Sequence, residues 1–319
     1  MRIGWVGAHR EGLAPLRALL EQNAPIAGVL TLDRTAAATM SGAADYEPLC
    51  REFGVDLFFI RDINDEHSRS LLRSLCLDVA FVIGWTQLVR RETMDLVPGG
   101  MIGAHASMLP RLRGRAPINW ALINGLRETG NSLIWLADGA DRGDIIDQTV
   151  IPISVFDTCE SLYDEVARST AEMILRCVPR LMRGERPGQP QTSLDETDMP
   201  RRRPRDGVMN WARPNREVYD FIRALTRPYP GAWSWLDGRR YRIWQAALLP
   251  PPPPVVHASV CPGEIVGSLV SPRPESCGIV VACKAGDVVL LEIEDDDGRV
   301  LTGTSLANLS WSGKRWSTN

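Results

Sequence analysis

The chain is short of histidine, of paired cysteines, of long apolar runs and of net charge, and each shortage removes a class of protein. Only four histidines and seven cysteines occur in 319 residues. The cysteines (50, 76, 159, 177, 261, 277 and 283) are odd in number, scattered, and without a C-x-x-C pair. That pattern argues against a structural zinc or a disulfide framework, so no metal is expected. No run of 18 apolar residues is present, and no membrane-spanning helix is expected. The run Ile3 to Val6 reaches Gly7 after too few apolar residues for a signal-peptide core, which points to the cytoplasm, where free thiols persist. Lys and Arg total 36 against 39 Asp and Glu, a net charge of −3 that supplies no overall field for a polyanion such as tRNA or DNA.

What is present is the composition of a globular protein, 44% hydrophobic and 24% charged, at a length that suits two domains. Apolar runs at residues 3–6, 26–32, 57–60, 79–83, 101–104 and 132–136 alternate with helical patterns such as Leu13, Leu16 and Leu20. Runs this continuous suit strands buried on both faces of a parallel sheet, so residues 1–184 are expected to form an α/β, doubly wound, Rossmann-like domain closed by a helix after Asp157 and Glu160. Residues 185–206 are polar and carry Pro187, Pro190, Pro200 and Pro204, the pattern of a linker. Residues 207–319 open with a helix near 216–225. Short strands follow at 232–236, 241–248, 263–269, 278–282 and 287–293, which suits a small OB-like β-barrel. The proline run 250–254 is expected as a stiff exposed loop, because proline removes ladder donors.

The densest chemical signal is the stretch 103–117, Gly-Ala-His-Ala-Ser-Met-Leu-Pro-Arg-Leu-Arg-Gly-Arg-Ala-Pro, a strand running into a loop. His105 sits at the expected carboxyl end of that strand, where ligands of doubly wound sheets bind. An imidazole is the side chain best suited to act as a general acid or base near neutral pH. A second loop, Asp138-Gly139-Ala140-Asp141-Arg142-Gly143-Asp144, follows the run 132–136. Two neighbouring parallel strands would bring its carboxylates toward His105. Read without further context, the histidine is as easily structural and the acidic loop as easily a turn; the loop lacks the ligand set of an EF-hand.

The run from His105 to Gly125, with Glu128-Thr129-Gly130 and Asp141-Arg142-Gly143-Asp144-Ile145, resembles the signature of the formyltransferase family. That family includes methionyl-tRNA, glycinamide ribonucleotide and sugar N-formyltransferases. Its catalytic His and Asp stand 36 positions apart, as positions 105 and 141 do here. The similarity continues through Arg203-Pro204-Arg205-Asp206-Gly207, Asn210-Trp211, residues 222–232 and Ile243-Trp244. The form Pro228-Tyr229-Pro230-Gly231-Ala232 is closer to the enzymes acting on nucleotide-linked amino sugars.

The resemblance implies transfer of a formyl group from 10-formyltetrahydrofolate, as co-substrate, to a small-molecule amine, with His105 and Asp141 catalytic. It further implies folate contacts from Gln87, Leu88, Val89, Arg115, Ala137, Asp138, Gly139 and Ala140, and acceptor contacts from Gly103, Ser107 and Asn119. Arg111 and Arg113 alternate with Arg115 and are read as a solvated rim. Related sugar enzymes are often dimers, so a homodimer fits the resemblance. The tRNA enzyme carries a basic insertion near its second strand, whereas residues 33–46 hold Arg34 as their only basic residue, which argues against nucleic acid. One departure stands out: the family places Asn two positions before the histidine, and here that position is Gly103. Methionyl-tRNA formylation, folate hydrolysis and folate binding without catalysis are the rival expectations.

Overall fold

The computed structural model describes residues 1–192, 197–249 and 260–318; the proline run 250–254 lies outside them. The chain divides into two compact units. One comprises residues 1–118, 127–154 and 161–201, the other residues 119–126, 155–160 and 202–319.

In the first unit the strands are β1 (Ile3–Val6), β2 (Ile26–Leu32), β3 (Leu57–Ile60), β4 (Val79–Val82), β5 (Met101–His105), β6 (Arg113–Gly114), β7 (Glu128–Trp135), β8 (Ile145–Pro152) and β9 (Asp198–Met199). Seven form one sheet in the order β3-β2-β1-β4-β5-β7-β8, and β6 pairs with β9 separately. Helices α1 (Leu13–Glu21), α2 (Arg34–Ala37), α3 (Glu47–Phe53), α4 (Glu66–Leu75) and α5 (Arg91–Met94) connect them; α6 (Pro117–Ile123) belongs to the second unit from residue 119 on, and α7 (Cys159–Met182) to the first from residue 161 on. Side chains of β1 alternate between two cores, one on each face of the sheet. Ile3 and Trp5 join Leu16, Phe81 and Ile174, while Val6 joins Leu30, Leu72 and Met101. Asp65 caps α4 through a bond from the Ser68 N–H at 2.7 Å.

The pairings from β3 to β5 are parallel, but β5–β7 and β7–β8 are antiparallel. The expectation of a wholly parallel sheet is therefore corrected to a mixed one. A continuous apolar run reports burial on both faces and carries no information about strand direction. The reversal matters for the site. Ile102 pairs with Trp135 and His105 with Ser132, so β7 ends at the edge opposite His105. The loop 136–144 must then double back for Asp141 to approach the histidine. From β1 the chain builds β2 and β3 on one side and β4 and β5 on the other, which sets the ligand crevice outside the carboxyl ends of β1 and β4, beside β5.

The second unit holds α8 (Asn215–Leu225), β10 (Ala232–Leu236), β11 (Arg239–Leu248), β12 (Ile265–Leu269), β13 (Gly278–Ala282), β14 (Asp287–Asp295), β15 (Val300–Thr302) and α9 (Gly303–Ala307). Its antiparallel sheet runs β10-β11-β14-β13-β12, with β15 on β14. Bridges from Trp235 to Ser317 and from Glu264 to Arg315 link the two outer strands through the C-terminal segment, which rolls the sheet toward a barrel. Among the described residues no helix is long and apolar enough to cross a membrane.

Candidate active site

His105 is the last residue of β5 and its side chain is 8% exposed. Its Nε2 lies 2.8 Å from the Leu112 carbonyl oxygen. A carbonyl only accepts, so Nε2 carries the hydrogen and the tautomer is set. Nδ1 faces Asp141 Oδ1 at 3.4 Å. The second carboxylate oxygen of Asp141 accepts the Gly114 N–H at 3.0 Å.

A third stretch of chain ties these loops together. The Gln191 Nε2 donates to the carbonyls of Asp141 and Gly143, both at 2.8 Å, and its Oε1 accepts from Arg113 Nε at 3.2 Å. The Leu112 N–H donates to Thr197 Oγ1 at 2.8 Å, and Arg113–Gly114 pairs with Asp198–Met199. Backbone strain gathers at the same place: Leu112, Ala116 and Asp141 have φ of 55°, 55° and 58°. A left-handed conformation costs about 1–3 kcal/mol at a residue other than glycine, and the surrounding bonds hold it. Arg113 and Gln191 were missed in the sequence, which contains no spacing that links positions 113, 141 and 191.

Gly103 precedes His105 by two residues on the same strand. A methyl group added there would lie 2.8 Å from Leu136 Cδ2, so Leu136 takes up room that an asparagine side chain would need. The same Leu136, with Arg91, Met94, Val97, Met101 and Arg186, lines a cavity of about 310 Å³, at the small end of the ~300–1,000 Å³ typical of ligand pockets. Arg186 stacks on Trp135 at 3.9 Å and donates to the Gly99 carbonyl at 2.8 Å.

None of the residues expected to contact folate is among those lining this cavity. Val89 is buried in one core with Met94, Val97 and Met101, and Leu88 is 60% exposed. The Gln87 carboxamide is committed elsewhere: it accepts the Ile63 N–H at 2.9 Å and donates to the Arg61 carbonyl at 2.7 Å. Ala137 is half-buried, while Asp138, Gly139 and Ala140 are exposed, with Asp138 Oδ2 3.8 Å from Arg91. Arg115 is exposed, whereas Arg113, read as part of a solvated rim, is buried. Ser107 and Asn119, expected to touch the acceptor, are fully buried. Both brace the fold: Ser107 donates to the Arg111 carbonyl at 2.6 Å, and Asn119, in the second unit, donates to the Ala224 carbonyl.

Comparison with known proteins agrees with this architecture. Residues 16–178 match the model of the family described as formyl transferase, and residues 202–310 match formyl transferase, C-terminal domain. A methionyl-tRNA formyltransferase of Symbiobacterium thermophilum is 33% identical over 311 residues, covering 97% of this chain and 92% of that protein. Among solved structures, HypX from Aquifex aeolicus in complex with tetrahydrofolic acid shares the fold, with a TM-score of 0.65 at 17% identity over 95% of this chain. The chain spans 46% of that HypX chain. An N-formyltransferase from Helicobacter canadensis, in complex with folinic acid and dTDP-3-aminofucose, has a TM-score of 0.62 at 15% identity, covering 90% of this chain and 98% of that one. With both domain models matched and a relative aligned along nearly its whole length, the chain belongs to the formyltransferase family of folate-dependent one-carbon transferases.

Proposed function

We propose that the chain transfers the formyl group of 10-formyltetrahydrofolate to the amine of a small acceptor, an amino sugar linked to a nucleotide or a comparable metabolite, with His105 and Asp141 managing the proton. The observation that carries this reading is the meeting of the two side chains, 3.4 Å apart, at the carboxyl end of β5.

In the transfer the amine lone pair forms a bond to the formyl carbon, the bond from that carbon to the folate nitrogen breaks, and a proton passes from the amine to the folate nitrogen. The Leu112 carbonyl holds the hydrogen on Nε2, which leaves the Nδ1 lone pair to take the proton. Asp141 Oδ1 then faces a new N–H and stabilises the imidazolium until the proton is passed on. The pterin would enter the cavity beside Met101 and Leu136, which Arg91, Met94 and Arg186 also line. With Gly103 in place of a carboxamide, and both imidazolium N–H groups held by Leu112 and Asp141, the oxyanion would rely on the positive charge of the ring and on backbone N–H groups; losing one donor typically costs about 10²–10³ in rate.

A nucleotide-linked amino sugar is favoured by the Pro228-Tyr229-Pro230-Gly231-Ala232 form, by the near absence of basic residues over 33–46, and by the fold shared with the enzyme holding dTDP-3-aminofucose. The second reading, methionyl-tRNA as acceptor, is favoured by the 33% identity to that enzyme. Purified protein with 10-formyltetrahydrofolate and, separately, nucleotide-linked amino sugars, amino acids or initiator methionyl-tRNA decides between them. Formylation of an amino sugar alone is expected. Formylated tRNA would select the second reading, and folate binding without turnover of any acceptor would overturn both.

A further inference from the structure

One wall of the cavity that takes the pterin in the reading above has little within itself to hold it in place. Arg91, Met94, Asp95, Val97 and Pro98 form that wall, and α5, which carries the first two, is four residues long. A helix of one turn makes too few bonds to offset its nucleation cost, so its position is imposed from outside. Arg90, its N-cap residue, makes no capping bond with its own side chain.

The outside support is Asn64, in the turn between β3 and α4. Its carboxamide fills all of its hydrogen-bonding positions. Nδ2 donates to the Leu88 carbonyl at 2.9 Å and to Asp62 Oδ1 at 3.2 Å. Oδ1 accepts the Arg90 N–H at 2.8 Å and the Thr93 hydroxyl at 3.1 Å. The amide orientation is fixed by these partners, because a carbonyl only accepts and a backbone N–H only donates. The bonds to Leu88, Arg90 and Thr93 bracket the entry into α5, and Thr93 is fully buried.

The turn that offers this carboxamide is itself anchored. The Asn64 N–H donates to Asp62 Oδ1 at 2.8 Å, and the Ser68 hydroxyl donates to the Asp62 carbonyl at 2.7 Å. Gln87 adds two bonds between the same two segments, through the Ile63 N–H and the Arg61 carbonyl. The next residue, Asp65, bonds in the other direction, to the Ser68 N–H of α4. Two adjacent side chains thus serve different elements: Asp65 holds α4, and Asn64 holds the segment 88–93. A wall preset in its bound geometry spares a ligand the cost of ordering it.

We propose that Asn64 is a positioning residue for the folate co-substrate: by fixing residues 88–93 it sets the wall against which the pterin binds, and it governs folate affinity without lining the cavity itself. This rests on the formyl-transfer reading above and on the pterin occupying this cavity.

The test compares wild type, Asn64→Ala, Thr93→Val and Asp65→Ala by folinic acid titration, by urea denaturation and by kcat with dTDP-3-aminofucose at saturating 10-formyltetrahydrofolate. Asn64→Ala is expected to weaken folinic acid binding and to raise the KM for 10-formyltetrahydrofolate about 10-fold, the worth of about one net hydrogen bond, with kcat within about twofold of wild type. Thr93→Val keeps the side-chain shape and removes one of the four bonds, so it should weaken binding about threefold even if the alanine variant fails to fold. Asp65→Ala loses stability with binding unchanged. Wild-type folinic acid affinity in both Asn64→Ala and Thr93→Val overturns the role of Asn64. Equal weakening in Asp65→Ala overturns it too, since the effect would then follow stability alone, as does a loss confined to kcat. Wild type that fails to bind folinic acid overturns the folate reading itself. Wild type that binds folinic acid yet formylates no acceptor overturns formyl transfer, and the affinity ratio between wild type and Asn64→Ala still decides the role of Asn64.

Discussion

Asp141 reaches His105 only because other residues hold it in a left-handed conformation at the end of a returning loop. Gln191 is the chief of these, since one carboxamide satisfies two carbonyls of that loop and is itself anchored by Arg113. Gln191→Ala should lower kcat about 10²-fold, the scale expected from a misplacement near 1 Å. Gln191→Glu keeps the shape but loses the N–H donors, so its loss should match; wild-type kcat in the Glu variant would show that the two bonds are idle. A second residue-scale prediction concerns Gly103. Asparagine there meets Leu136, so Gly103→Asn should reduce kcat, and adding Leu136→Ala should recover the rate at least to the wild-type level. Steady-state kinetics on wild type and these two variants checks this, and a fully active single Gly103→Asn variant would contradict the packing argument.

At the scale of elements, hydrogen-bonded ends carry stability separable from chemistry. Asp65→Ala removes the cap of α4 and should cost about 1 kcal/mol in urea denaturation, with folinic acid affinity unchanged; an altered affinity would mean that α4 bears on the site. Much of this layer was legible in the sequence. The runs 3–6, 26–32 and 57–60 coincide with β1, β2 and β3; β1 is buried along its whole length, so its apolar stretch is continuous, whereas β3 is an edge strand and leaves Phe59 47% exposed. The direction of β7 was not legible, since such a stretch reads the same both ways, and the antiparallel pairing appears only in the register of His105 with Ser132. The two-residue strands β6 and β9 were invisible for a different reason: they hold no apolar pattern and exist as a strap over the site. His105 and Asp141 could be named from their motif and separation, but Gln191 acts through bonds to distant backbone that no local pattern encodes.

For the whole molecule, stability and pH are linked through buried ionisable groups. The Glu11 carboxyl is raised from 4.5 to about 7 in the folded protein, so its contribution to stability is complete below about pH 4.5 and is lost as pH rises through 7. His9, lowered from 6.5 to about 4, works the other way: its contribution is present above 6.5 and is lost as pH falls toward 4. Glu11→Gln removes the first effect and keeps the second. The variant should be more stable than wild type by about 2–3 kcal/mol at pH 8, with the difference nearly gone at pH 4, as urea denaturation at the two pH values would show. A variant less stable at pH 8 would contradict the buried carboxylate. The central claim is that His105 and Asp141 act as one unit, and a double-mutant cycle on kcat tests it most directly. Each of His105→Ala and Asp141→Ala should lower formyl transfer by about 10²–10⁴-fold, and the double variant should be no slower than the worse single one. Losses that multiply, or a single variant that keeps most of its activity, would contradict the account.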